Sequence, residues 1–299
     1  MDDRKNTTAR QPLTFIMATI SILMWSTNLP ATRYLLAYYS PGSIALLRSV
    51  GAVVLLCLIG ALKRIRLPKM KDLHMFVICG VSGVFLFLVF QTLGARHVVS
   101  GVGSFIINSS PVFTIILATI LLKERVKPVC WAGVVLSFCG LMVIMVNQTT
   151  EFSFNIGVFF LLLTSIVTSI FNISQRSLLK SYTFLEVVTY AIIAATICMT
   201  VFIPGTVPEL AGSNIAANLM LLYLGLFPGA LAHLTWTYAL SRAEKTTHVT
   251  VFLYLTPFVA TVIGYFWLDE TFSLWSFFGG VVIVAGMAMT NLLGRTQKH

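Results

Sequence analysis

The sequence predicts an all-α membrane protein: ten transmembrane helices in two inverted five-helix repeats, with the N- and C-termini both cytoplasmic. Three observations carry that prediction. The first is composition. Of 299 residues, 57% are hydrophobic and 10% charged, and mean hydropathy is +0.90. A soluble chain of this size needs a far more charged surface. The second is the grouping of the apolar residues into ten runs, each near the roughly 20 residues that a hydrocarbon core requires. The third is an internal repetition. Residues 98–147 carry Ser109-Ser110-Pro111-Val112-Phe113, an apolar run, Lys123-Glu124-Arg125 and a second apolar run with Gly133 and Gly140. Downstream come Leu255-Thr256-Pro257-Phe258, an apolar run, Asp269-Glu270 and a run with Gly279, Gly280 and Gly286. A shift of 146 superposes Pro111 on Pro257, Glu124 on Glu270, Gly133 on Gly279 and Gly140 on Gly286. The unit is half a chain, so this is a duplicated module and not a solenoid.

Taken in order, residues 1–12 form a polar tail. Spans follow at about 13–32, 41–62, 73–93, 98–121, 128–147, 155–178, 183–203, 215–240, 246–267 and 274–293, and residues 294–299 form a second tail. The two repeats are then 13–147 and 155–293. Basic residues precede the first run, as in a signal peptide. The run is long, however, and no small-x-small site closes it, so it reads as an uncleaved helix. The runs lack the alternation of barrel strands, which leaves helices as the spanning option. Gly94, Arg96 and His97 separate the third and fourth spans. The stretch 204–214, with Pro204, Gly205 and Pro208, reads as a turn.

Charge sets the orientation. Seventeen of the twenty Lys and Arg residues fall in the tails and in alternate connections, from Arg4 and Lys63 to Lys127, Lys180, Arg242 and Arg295. The opposite side has Arg33 and Arg96, and Arg48 lies inside a span. The positive-inside rule makes the first side cytoplasmic and the number of spans even. Five spans per half is an odd number, so the second half enters the membrane upside down. Inverted repeats of this kind build the two interconvertible states of many secondary transporters. The net charge of +10 is explained by this retention pattern, and nucleic acid is not an expected partner. The five cysteines lie in or beside apolar runs without metal-ligand spacing and read as small buried hydrophobes. No metal, cofactor or enzyme motif is present.

The pieces Trp25-Ser26-Thr27-Asn28, Leu46-Leu47-Arg48, Pro111, Leu121, Glu124, Gly133 and Gly140 together resemble the drug/metabolite transporter superfamily, in its ten-helix branch of two EamA-type repeats. In the second half, Pro257, Leu268-Asp269-Glu270 and Gly286 match. Phe171-Asn172 stands where the first half has its Trp motif. The resemblance implies a basket whose spans one, three, four, six, eight and nine line a central cavity, with five and ten outside. It also implies a secondary transporter in a bacterial inner membrane, with export of aromatic or other apolar amino acids as the leading expectation, since members of the superfamily include exporters of aromatic and other amino acids. Carriers of nucleotide-like, vitamin-like or drug-like metabolites belong to the same superfamily. A sensor or scaffold without transport, a lipid-intermediate flippase and an intramembrane enzyme stand as rival readings. Membrane lipid and a small-molecule substrate are the expected partners, with the chain a monomer or homodimer.

The candidate cavity residues are Trp25, Asn28, Phe87, Gln91, Asn108, Ser110, His233, Trp236 and Tyr254, with Tyr190 and Tyr238 as further aromatics. Arg48 is a candidate carboxylate contact, because a charge inside a span costs about 2.5–3.5 kcal/mol and normally faces protein or a wet cavity. His233 is the first candidate for proton coupling, since histidine titrates near neutral pH. Glu186 is the second, although an acid in the first turn of a helix is also favoured by the dipole. Pro111 and Pro257 each free a carbonyl one turn upstream and are the expected hinges. Trp267, Trp275, Tyr34, Tyr38 and Tyr39 are expected in an interfacial belt.

Overall fold

The computed structural model describes residues 11–121, 127–147, 155–242, 251–271 and 273–293, all helix and short connection with no strand among them. We number the helical rods in chain order. Rod α1 runs over Gln11–Ser26 and, after a turn at Thr27, Asn28–Leu35; α2 is Pro41–Lys63. Rod α3 comprises Leu73–Gly80, a π-helical segment Val81–Leu86, and Phe87–Ala95. Rod α4 is broken into Ser100–Ile107 and Ser110–Leu121, and α5 is Pro128–Asn147. Rod α6 is Ile156–Leu178, and α7 is Phe184–Met199 continued by Ile203–Gly212. Rod α8 comprises Ile215–Leu226, a π segment Phe227–Leu231, and Ala232–Arg242. Rod α9 starts as a 3₁₀ turn, Val251–Leu255, and continues as Thr256–Leu268; α10 is Leu274–Leu293. Among the described residues, seven rods are long and apolar enough to cross a membrane, while the apolar stretches of α5, α9 and α10 are shorter. The tails and Glu124 of the repeat motif lie outside the described residues.

The stretch expected as a turn at 204–214 is instead helical as far as Gly212. Pro204 sits in the first turn, where no intrahelical partner is needed for its missing N–H. Thr206 Oγ1 donates to Ser43 Oγ at 3.0 Å, and Glu209 accepts from the Ser40 amide at 2.9 Å, which ties this helix to the start of α2. Tyr39 also departs from expectation. It is buried, with its hydroxyl between Ser213 and Asn218, whereas Trp267 and Trp275 are outward-facing. Of the cysteines, Cys79 and Cys130 are buried, while Cys57, Cys139 and Cys198 are exposed on the outer surface.

Rods α5 and α10 pack as an antiparallel pair because glycines let the backbones meet. A methyl on Gly140 would lie 2.5 Å from the Gly279 carbonyl oxygen, and one on Gly279 would lie 2.8 Å from that of Gly140. Gly286 opposes the Gly133 carbonyl in the same way. At the centre of the pair, Ser137 Oγ reaches the Ile283 carbonyl at 3.3 Å, between residues 146 apart in sequence. The contact of Gly140 with Gly279 therefore becomes, under that shift, the contact of Gly286 with Gly133.

The same spacing recurs across the fold. The π segments begin at Val81 and Phe227, and the helices after the breaks in α4 and α9 begin at Ser110 and Thr256. In α4 the break at Asn108-Ser109 is held from α6. Ser165 Oγ donates to the Ile106 carbonyl at 2.6 Å and approaches that of Ile107 at 3.3 Å, and Ser169 Oγ donates to the Ser110 carbonyl at 2.7 Å. Ile107 is the residue whose helical partner Pro111 removes, and Ser165 of α6 is the hydroxyl that lies against this freed stretch of backbone.

Candidate functional site

The helix interruptions converge on a central cavity of about 470 Å³. A π turn carries one more residue than the turn it replaces, which leaves local backbone free to face a ligand and marks many functional sites. Both π segments place a glycine in the wall, Gly83 from α3 and Gly229 from α8, and a methyl on Gly83 would strike the ring of Phe171 across it. Trp25 Nε1 donates to the Pro228 carbonyl in the α8 segment at 3.2 Å, joining α1 to α8 across the wall. The Trp25 ring lies edge-on to His233 at 5.2 Å and tilted against Trp236 at 5.4 Å.

All nine candidate cavity residues line this space: Trp25, Asn28, Phe87, Gln91, Asn108, Ser110, His233, Trp236 and Tyr254. Arg48 and Pro111 line it as well, while Pro257 is buried just behind Thr256, which does. The structure does not bring Tyr190 or Tyr238 to the wall. Tyr190 packs against Phe76 at 5.7 Å, and Tyr238 is exposed. Rods α2 and α7 contribute to the wall through Arg48, Phe184, Val188 and Ile192, in addition to the six rods expected.

Glu186 is absent from the cavity. Its carboxylate accepts from the Arg66 amide at 2.9 Å and the Thr183 amide at 2.7 Å, while the Thr183 hydroxyl accepts from the Glu186 amide at 3.3 Å. This capping box fastens the start of α7 to the connection after α2 and gives Glu186 a structural occupation.

From α6 the structure brings Thr168, Phe171, Asn172 and Gln175 to the wall, none of them among the candidate cavity residues. The repeat shift points to two of them, Phe171 and Gln175, as counterparts of Trp25 and Leu29. Seven pairs of lining residues are separated by 146: Trp25 and Phe171, Leu29 and Gln175, Gly83 and Gly229, Phe87 and His233, Ile107 and Leu253, Asn108 and Tyr254, Ser110 and Thr256.

The electrostatics of the wall are simple. Arg48 is its one charged residue, and no Asp, Glu or Lys lines it among the described residues. Arg48 is 4% exposed, and its Nη1 has no hydrogen-bond partner within the protein. Buried polar groups are normally paired, so an exception calls for an explanation. Among the described residues six buried side-chain polar atoms lack a partner. Five of them belong to this wall: Asn28 Oδ1, Arg48 Nη1, Gln91 Oε1, Gln175 Oε1 and Thr256 Oγ1.

The cavity has a closed end and a far end. It reaches Leu179 and Phe184, on either side of the α6–α7 connection, and stops short of the opposite end of the bundle. That opposite end is fastened by Glu270. Its carboxylate accepts from the Ser100 amide at 2.7 Å and the Ser100 hydroxyl at 2.8 Å, and it pairs with Arg33 Nε at 3.1 Å. Arg33 Nη1 donates to the Val98 carbonyl at 2.6 Å. The end of α1, the start of α4 and the end of α9 thus meet on one carboxylate, which also sits at the N-terminus of α4, where the helix dipole favours it.

The EamA-like transporter family matches residues 12–146 and, a second time, 155–292. An uncharacterized transporter of Bacillus subtilis, YdfC, is 31% identical over 278 residues, covering 93% of this chain and 90% of that protein. A probable terminal-alkyne amino-acid exporter of Streptantibioticus cattleyicolor is also 31% identical, over 281 residues, covering 93% and 94%. A protein of known crystal structure shares the fold with a TM-score of 0.64 at 17% identity, over 94% of this chain and 97% of that one.

Proposed function

The chain belongs to the EamA-like transporter family, a multi-pass membrane protein among relatives named as transporters, and from that premise we propose that it is a secondary transporter exporting aromatic or other apolar amino acids by alternating access. The observation that carries the proposal is the central cavity. Its volume falls within the roughly 300–1,000 Å³ of small-molecule sites. It is lined by aromatic rings and carries polar atoms that the protein leaves without partners. The Streptantibioticus relative, named a probable amino-acid exporter, supports an amino acid as cargo.

Ten spans, two inverted repeats and cytoplasmic termini belong to the same proposal. Their support is the doubled family match, the recurrent spacing of 146 and the one-sided distribution of Lys and Arg. In that orientation Arg33, Ser100 and Glu270 close the external end, and the cavity extends toward the cytoplasm at Leu179 and Phe184. If protons drive the cycle, His233, which lines the cavity, is the first choice of coupling residue; a uniporter would need none. Glu186, engaged in its capping box, is not needed for coupling.

The test is flux into proteoliposomes with a panel of amino acids and related metabolites, run with and without an imposed pH gradient. Saturable flux of an aromatic or aliphatic amino acid supports the reading. Dependence on the gradient that disappears in His233→Ala assigns coupling to that residue. Folded protein that moves none of the amino acids would refute the cargo.

A further inference from the structure

We propose that the closed end of the cavity is a head-group site for a zwitterion, in which Arg48 binds the substrate carboxylate and the side-chain oxygens of Asn28 and Gln91 bind its ammonium group. The inference deepens the transporter reading and rests on it. Three observations converge. The first is depth. Asn28 lies seven residues before the end of α1, Arg48 seven residues after the start of α2, and Gln91 four residues before the end of α3. At about 1.5 Å per residue these positions lie roughly 6–10 Å inside the same end of the bundle. The second is valence. Arg48 Nη1 is an unpartnered donor, and Asn28 Oδ1 and Gln91 Oε1 are unpartnered acceptors. One cationic donor and two neutral acceptors in the wall of one cavity match what a carboxylate and an ammonium on adjacent carbons require.

The third observation is asymmetry. Much of the wall comes in pairs 146 apart, but Arg48 has no charged counterpart. The equivalent turn of α7 holds Ile192, Ile193 and Ala194. A single charged pole in a wall that is in large part duplicated fixes a single orientation of the substrate. Its head lies at the Arg48 end, and its side chain lies among Trp25, Phe87, Phe171 and Trp236. The site also selects by charge. Among the described residues no carboxylate in the wall offsets Arg48, so an amine lacking a carboxylate meets an uncompensated guanidinium and is rejected. An acid lacking the amine leaves the amide oxygens unpaired and loses affinity.

The experiment measures binding of three matched probes to the purified full chain by calorimetry: L-phenylalanine, phenethylamine, which lacks the carboxylate, and 3-phenylpropionate, which lacks the amine. The expected order has L-phenylalanine tightest, with each analogue weaker by at least about tenfold. Arg48→Met should weaken both acids by about tenfold or more while leaving phenethylamine no weaker than in the unaltered protein. Gln91→Met and Asn28→Leu should weaken L-phenylalanine and spare 3-phenylpropionate. Arg48→Lys, which keeps the charge, should retain part of the acid preference. Melting temperature and gel-filtration profile establish that each variant is folded.

If the unaltered protein binds phenethylamine as tightly as L-phenylalanine, or if Arg48→Met weakens all three probes equally, the head-group assignment is wrong while the transporter reading stands. If neither L-phenylalanine nor any other amino acid binds, the cargo reading fails, and this assignment falls with it.

Discussion

Glu270→Gln tests whether the fastened end is a gate. The substitution keeps the shape of the side chain and removes its charge. In the structure that carboxylate holds Arg33 Nε at 3.1 Å and two donors of Ser100 at 2.7 and 2.8 Å. An amide offers one oxygen to three donors and turns an N–H toward at least one of them. Hydrogen bonds to a charged group contribute about 1.5–3 kcal/mol each. Arg33 is 26% exposed, so solvent screens its share. A net loss of about 2–3 kcal/mol is a reasonable sum for the site. If the contacts exist only while this end is closed, the equilibrium between the two facing states shifts by the same amount, or about 30- to 150-fold. The assay is labelling of Ser104→Cys, in a background without the native cysteines, by a membrane-impermeant maleimide added from the Arg33 side. Ser104 lines the cavity and is 6% exposed. Its labelling should be slow with Glu270 present and faster by at least about tenfold in Glu270→Gln. Arg33→Met should do the same, and the double variant should add little, since the two residues act through one contact. Unchanged labelling in a variant that has lost stability would show that the clasp persists in both states and is not a gate.

Three further outcomes follow from the packing. Gly140→Ala should destabilise the α5–α10 pair by about 1–3 kcal/mol, because its methyl meets the Gly279 carbonyl; Gly205→Ala, which meets nothing within 4 Å, should leave the melting temperature unchanged or slightly raised. Ser165→Ala and Ser169→Ala should each cost about 1 kcal/mol by releasing carbonyls at the break in α4, read as lower thermal stability and faster hydrogen exchange over 106–110. Glu186→Ala should cost about 1 kcal/mol through the lost cap and leave any pH-gradient dependence of flux intact; loss of that dependence would return Glu186 to the coupling mechanism.

Much of the cavity was legible because two signals point inward together. A polar or aromatic residue in an apolar run has few acceptable places, and Asn28, Arg48, Gln91 and Asn108 all face the same space. The repeat shift then relates Phe87 to His233 and Pro111 to Pro257. What escaped notice did so for physical reasons. The Trp motif of α1 is Phe171-Asn172 in α6, so no motif marks that wall, and the shift reaches only Phe171 and Gln175 of it. The π segments widen a helix without altering its composition, and Gly83 and Pro228-Gly229 were the faint sign of them. Pro204 and Pro208 read as a turn, although the first occupies a position where a helix tolerates proline. The Arg33–Glu270 contact joins residues from the two halves of the chain, and no local pattern announces such a meeting.

If the central cavity is the path of the substrate, filling it must stop transport. Counterflow of L-phenylalanine in proteoliposomes decides this by comparing two substitutions to the same bulky side chain. Thr168→Trp fills the cavity wall, and Val54→Trp projects from the outer face, where Val54 is 63% exposed. Thr168→Trp should abolish counterflow in folded protein, and Val54→Trp should retain it. Equal counterflow in the two variants would show that the substrate does not pass through the cavity.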